Sequence, residues 1–124
     1  MEIAVIGLGR MGANIARRLA GGGHDVFVYD RSPEIAPDLA GEHPRIRAAR
    51  TVAGLVKAMA TPRHLWVMVP AGRATDSAIR GLAKVLARGD AIIDGGNSNF
   101  RDSMGRAKSL ARRGVLFVDA GTSG

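Results

Sequence analysis

Gly7, Gly9 and Gly12, with Leu8, Arg10 and Met11 among them, set three residues without side chains into one short stretch. Backbone bared in this way offers amide N–H groups to an anion, and a helix opening at position 10 adds the partial positive charge of its N-terminus. Each glycine answers a separate demand: Gly7 a tight turn out of a strand, Gly9 room for a diphosphate to reach the main chain, Gly12 close packing of helix on sheet. Asp30 stands about 20 residues further on, where a carboxylate can accept hydrogen bonds from both hydroxyls of a ribose. A strand before, a helix after and an acid at the end of the next strand make this the sequence form of a dinucleotide site. A bare strand–turn–helix with an acidic surface residue is the plainer alternative.

Asp30 is followed by Arg31 and Ser32. Both could hold a ribose 2′-phosphate, which the carboxylate repels. Like charges about 4 Å apart lose several kcal/mol at the effective dielectric of a half-exposed site, and the flanking arginine offsets part of it. NAD is therefore favoured as cofactor, with NADP possible.

The elements that must position these residues alternate with a short period. Strands are predicted over 2–6, 25–29, 45–48, 64–69, 90–94 and 115–119, and helices over 10–20, 33–40, 51–59, 74–87 and 100–113. Apolar spacing such as Ile79, Leu82, Ala83, Leu86 carries the helix assignments. Gly21-Gly22-Gly23, Gly89 and Gly114 suit helix ends, while Thr51 and Ser32-Pro33 suit helix starts. The pattern implies an α/β fold, a Rossmann doubly wound parallel sheet of six strands in the order 3-2-1-4-5-6. One dinucleotide-binding domain then spans 1–124. Ligands gather beyond the carboxyl ends of such strands, so the turns after strands 1, 4, 5 and 6 should line one crevice. Those turns carry no histidine, lysine or carboxylate pair to move protons.

Composition narrows the partners. The 124 residues carry a net charge of +7, with 46% hydrophobic residues and no cysteine. That excludes a disulfide framework and thiolate chemistry, and makes a reducing cytoplasm the default location. No apolar run approaches the roughly 20 residues of a membrane span, so no membrane partner is expected. The arginines are scattered and aromatics are scarce, which argues against nucleic acid as partner and for solvated helix faces. His24, His43 and His64 lack ligand spacing, so no metal is expected.

Three motifs together resemble a known family. Val5-Ile6-Gly7-Leu8-Gly9-Arg10-Met11-Gly12-Ala13-Asn14 looks like the opening of the β-hydroxyacid dehydrogenases. Asp94-Gly95-Gly96-Asn97-Ser98-Asn99-Phe100 and Asp119-Ala120-Gly121-Thr122-Ser123-Gly124 narrow the resemblance to the decarboxylating 6-phosphogluconate dehydrogenases, over the whole chain. The resemblance implies hydride transfer from C3 of 6-phosphogluconate to NAD(P), and loss of carbon dioxide to give ribulose 5-phosphate. It implies that Gly7, Leu8, Gly9, Arg10, Met11 and Gly12 hold the dinucleotide with Asp30, Arg31 and Ser32. Val69, Pro70 and Ala71 would pack by the nicotinamide; family enzymes often carry lysine where this chain has Pro70. Asn97 would bridge substrate and nicotinamide, and Ser123 and Gly124 would grip the substrate carboxylate. Plainer roles stand beside these: Asn97 as a helix cap, Met11 as a packing residue, Ser123 and Gly124 as a chain end.

The family's lysine base and glutamate acid lie in a K-x-x-H-N-x-x-E segment, and none occurs in residues 1–124. No catalytic residue is therefore assigned within this chain. The C-terminal helical domain that supplies catalysis and dimerisation in the family is expected to be absent. A homo-oligomer is expected only of a full-length enzyme, and the small-molecule partner is a sugar-acid phosphate. The alternatives are a non-catalytic dinucleotide-binding or sensing module and another β-hydroxyacid dehydrogenase.

Overall fold

Runs rich in valine and isoleucine form the centre of the molecule, because a strand covered on both faces must be apolar on both. The computed structural model describes residues 1–69, 73–95 and 100–120. Its elements in order are β1 (Glu2–Ile6), α1 (Arg10–Gly21), β2 (Asp25–Tyr29), α2 (Ile35–Ala40), β3 (Ile46–Ala48) and α3 (Val52–Ala58). They continue through β4 (His64–Val67), α4 (Arg73–Val85), β5 (Ala91–Asp94), α5 (Phe100–Ala111) and β6 (Leu116–Asp119). The six strands are parallel in the order β3-β2-β1-β4-β5-β6, as the sequence predicts.

Two apolar layers sandwich the sheet. On one face Ala4, Ile6, Leu65, Val67 and Ile92 pack against Leu55 and Val56 of α3, Ile79 and Leu82 of α4, and Leu110 of α5. On the other, Val5, Val26 and Val28 meet Ala16 and Ala20 of α1 and Ala36 and Leu39 of α2. The small residues of α1 let its axis sit close to β1, which brings its N-terminus down onto the glycine turn. Register carries the second face outward from Trp66 to Ile93 to Val118, and from Ala91 to Leu116. There α1 and α2 no longer cover it: Leu116 is 62% exposed and Val118 42%.

Boundaries follow local chemistry. Thr51 caps α3, its Oγ1 accepting from Gly54 N at 2.9 Å. The predicted start of α2 at Ser32-Pro33 is not observed. Ile35 N donates to Ser32 O at 3.2 Å, closing a separate turn, and α2 begins at Ile35 with no side-chain cap. The reason is local: Ser32 N donates to Asp30 Oδ2 at 3.0 Å, an Asx-type turn that runs into the Ser32–Ile35 turn ahead of the helix. Strand β4 ends at Val67, two residues before its predicted limit.

At the amino ends of the strands, Asp90 is fully buried and accepts from Arg63 N at 2.7 Å, Arg63 Nη1 at 3.0 Å and Ala87 N at 2.8 Å. Burial alone would push this carboxyl up. The Ala87 and Arg63 amides and the Arg63 guanidinium outweigh burial and hold it below the usual carboxylate range.

Candidate functional site

The turn between β1 and α1 is shaped by contacts that only glycine survives at two places. Gly7 has φ +93°, and a Cβ there would lie 2.6 Å from Met68 O and 3.0 Å from Val69 Cγ1. At Gly12 a Cβ would land on the Gly7 carbonyl oxygen. Gly9 is different. Its φ is −64° with ψ −172°, open to any residue, and a Cβ there would meet nothing within 4 Å. The folded chain itself makes no demand for glycine at position 9. A ligand lying against the backbone would.

The helix end supports that fit. Gly9 caps α1 without a side-chain hydrogen bond, and the first turn holds no acidic residue. The first intrahelical bond runs from Ala13 N to Gly9 O at 2.9 Å. The N–H groups of Arg10, Met11 and Gly12 therefore precede the helix ladder. Gly9, Arg10 and Met11 are exposed, Met11 by 52%, so Met11 is not the packing residue that its type suggested.

Asp30 closes the crevice at the end of β2. Its Oδ1 accepts from Leu8 N at 2.8 Å and its Oδ2 from Ser32 N at 3.0 Å. Leu8 itself is 4% exposed and packs with Val5, Ala16 and Val28. Each carboxylate oxygen keeps further acceptor capacity after one such bond. Arg31 is exposed and Ser32 half-buried beside it. On the other side, Met68 N bonds to Ile6 O at 2.7 Å, which holds the end of β4 against β1. Val69, half-buried, then packs on Gly7.

The structure thus brings together Gly7, Leu8, Gly9, Arg10, Met11, Gly12, Asp30, Arg31, Ser32 and Val69 at one edge of the sheet. Pro70, Ala71, Asn97, Ser123 and Gly124 lie outside the described residues. Two features were not read from the sequence. One is the pair of backbone donors on Asp30, of which Leu8 N, 22 residues away, is invisible to local pattern. The other is Arg106, grouped by composition with solvated arginines but only 7% exposed, with Nη1 at 3.5 Å from Oδ2 of the fully buried Asp94. A basic residue spaced onto the apolar stripe of α5 beside Leu110 was the available signal. His24, His43 and His64 sit away from this edge, and His43 Nδ1 accepts from Arg45 N at 3.0 Å. Among the described residues no helix is long and apolar enough to cross a membrane, and no group of three metal-ligating side chains occurs.

Comparison with known proteins is consistent in fold and family. Residues 2–124 match the family model described as the NAD binding domain of 6-phosphogluconate dehydrogenase. A decarboxylating 6-phosphogluconate dehydrogenase of Escherichia coli is 39% identical over 125 residues, covering 99% of this chain and 27% of that protein. One from Chlamydia pneumoniae is 39% identical over 126 residues, covering 99% and 26%. The Plasmodium falciparum 6-phosphogluconate dehydrogenase, solved apo, with its cofactor NADP+ and with its substrate 6-phosphogluconate, superposes with a TM-score of 0.90. It is 30% identical and the match covers 100% of this chain and 27% of that one. A 3-hydroxyisobutyrate dehydrogenase of Mycobacterium tuberculosis gives a TM-score of 0.83 at 26% identity, over 99% of this chain and 40% of that one. The chain thus spans about a quarter of the curated relatives it matches.

Proposed function

The chain belongs to the family of NAD binding domains of 6-phosphogluconate dehydrogenase, and from that premise we propose that it seats a nicotinamide dinucleotide in the crevice above Gly9. The observation that carries this reading is the open Cβ position at Gly9, beside three helix N–H groups that precede the α1 ladder. The pyrophosphate would lie against Gly9, Arg10, Met11 and Gly12, where N–H groups and the helix dipole favour negative charge. Asp30 would accept from the adenosine ribose, and Val69, Pro70 and Ala71 would border the nicotinamide.

When bound, the cofactor supplies a hydride acceptor for the oxidation of a sugar-acid phosphate. This chain's residues bind it, orient it and hold its ring near the ends of β4 and β5. Asn97 is proposed to bridge substrate and nicotinamide, and Ser123 and Gly124 to contact the substrate. The protons of the reaction need groups such as the lysine and glutamate of the family's K-x-x-H-N-x-x-E segment, which residues 1–124 do not contain. The chain alone is therefore proposed to bind dinucleotide with little or no turnover of 6-phosphogluconate, and to act in the cytoplasm as part of a longer enzyme.

NAD is proposed as the preferred cofactor, on the charge of Asp30. The relative from Plasmodium uses NADP+, and Arg31 and Ser32 leave NADP as a usable second cofactor. Fluorescence titration with NADH and NADPH tests the reading. NADH should bind the more tightly. Binding of neither would refute the dinucleotide site, and tighter NADPH would refute the role given to the carboxylate.

A further inference from the structure

Asp30 has more to do than face a ribose. Its two oxygens reach two separate turns: Oδ1 takes Leu8 N–H at 2.8 Å in the glycine turn, and Oδ2 takes Ser32 N–H at 3.0 Å in the turn before α2. One residue back, Gly7 N donates to Tyr29 O at 3.0 Å, the last sheet bond of the β1–β2 pair. Beyond that bond the strands part, and the carboxylate continues the tie between them. Leu8 is 4% exposed, so solvent is a poor substitute acceptor for its amide.

We propose that Asp30 is a positioning residue that locks the pyrophosphate-binding turn and, by occupying the Ser32 amide, withholds a donor that a 2′-phosphate would need. This rests on the dinucleotide reading above and deepens it. Cofactor choice is then set twice by one group. The carboxylate repels a 2′-phosphate by charge, and it also consumes the backbone N–H that stands next to Arg31 at that corner. An asparagine at position 30 has one acceptor oxygen and one NH2 group. It can serve Leu8 or Ser32 but not both, since its NH2 would confront the other N–H donor to donor. Satisfying Leu8 frees Ser32 N–H for phosphate. Satisfying Ser32 loosens the glycine turn.

Amide hydrogen exchange on the ligand-free chain reads the lock directly. In Asp30→Ala, the Leu8 amide should exchange at least about tenfold faster, while Gly7, bonded to Tyr29 O, keeps its rate. In Asp30→Asn, either Leu8 or Ser32 should accelerate and the other hold, which gives a second reading should the alanine variant fail to fold. Unchanged Leu8 exchange in Asp30→Ala would overturn the proposal. Parallel acceleration of Leu8 and Gly7 would overturn it too, since Asp30 would then be a general stabiliser. If the parent does not bind NADH, the dinucleotide reading fails, whereas the exchange result still judges the lock on the two turns.

Discussion

Replacing Gly9 by alanine should separate binding from folding more cleanly than any other change at this site. The backbone at Gly9 is extended, with φ −64°, and a methyl group there meets no protein atom within 4 Å. Losing glycine at a helix cap costs at most about 1 kcal/mol. A stiffer unfolded chain returns about 0.4–1 kcal/mol. Stability should therefore change by less than about 1 kcal/mol. On the proposed reading, the same methyl would stand where a diphosphate approaches Arg10, Met11 and Gly12. Loss of two hydrogen bonds to a charged group, at about 1.5 kcal/mol each for the low end, totals about 3 kcal/mol, which is more than a hundredfold in Kd. Gly12→Ala is the contrast, because its methyl falls on Gly7 O and overpacking costs about 1–3 kcal/mol in folding itself. Urea denaturation with NADH titration on both variants reads the two quantities side by side. A folded Gly9→Ala chain that binds NADH like its parent would show that no ligand lies against the backbone at position 9.

Three further substitutions probe the fold. Asp90 carries a carboxyl held below its usual range, so its stabilisation is present above the unfolded carboxylate pKa and is lost as pH falls through the lower folded value. Asp90→Asn should cost about 3 kcal/mol at neutral pH, by leaving the half-buried Arg63 without its counter-charge, and should flatten the acid limb of the stability profile; an unchanged limb in urea melts across pH would contradict this. Leu65→Ala, at a fully buried position, should cost about 2–5 kcal/mol. Leu116→Ala, on the uncovered face of β6, should stay within about 0.5 kcal/mol, and a core-sized loss there would show that this face is packed.

Much of this architecture was legible in residue order because parallel strands buried on both faces leave unbroken apolar runs, as in Ile3-Ala4-Val5-Ile6 and Val26-Phe27-Val28. The strand order came with the doubly wound pattern that the glycine turn and the terminal Asp30 signal, while handedness sets the face that each helix covers. What escaped notice has local and long-range causes. Ser32-Pro33 reads as a helix start, yet Asp30 closes an Asx-type turn on the Ser32 amide and the helix begins at Ile35. Met11 reads as packing, but Gly12 draws the helix so close to Gly7 that its neighbour is left on the open side. Arg106 reads as a surface charge, yet it is nearly buried with Nη1 3.5 Å from the buried Asp94. At the crevice, glycine spacing showed that three positions needed small residues. Only the structure separates Gly7 and Gly12, required by the protein, from Gly9, required by nothing in it.

Amide chemical-shift mapping during titration with NADH would locate the dinucleotide residue by residue. The Gly9, Arg10, Met11 and Gly12 amides should move together and saturate with one Kd, while Arg63 and Asp90 at the opposite ends of the strands stay still. Saturable shifts confined to that opposite edge, or no shifts at millimolar NADH, would contradict the proposed site.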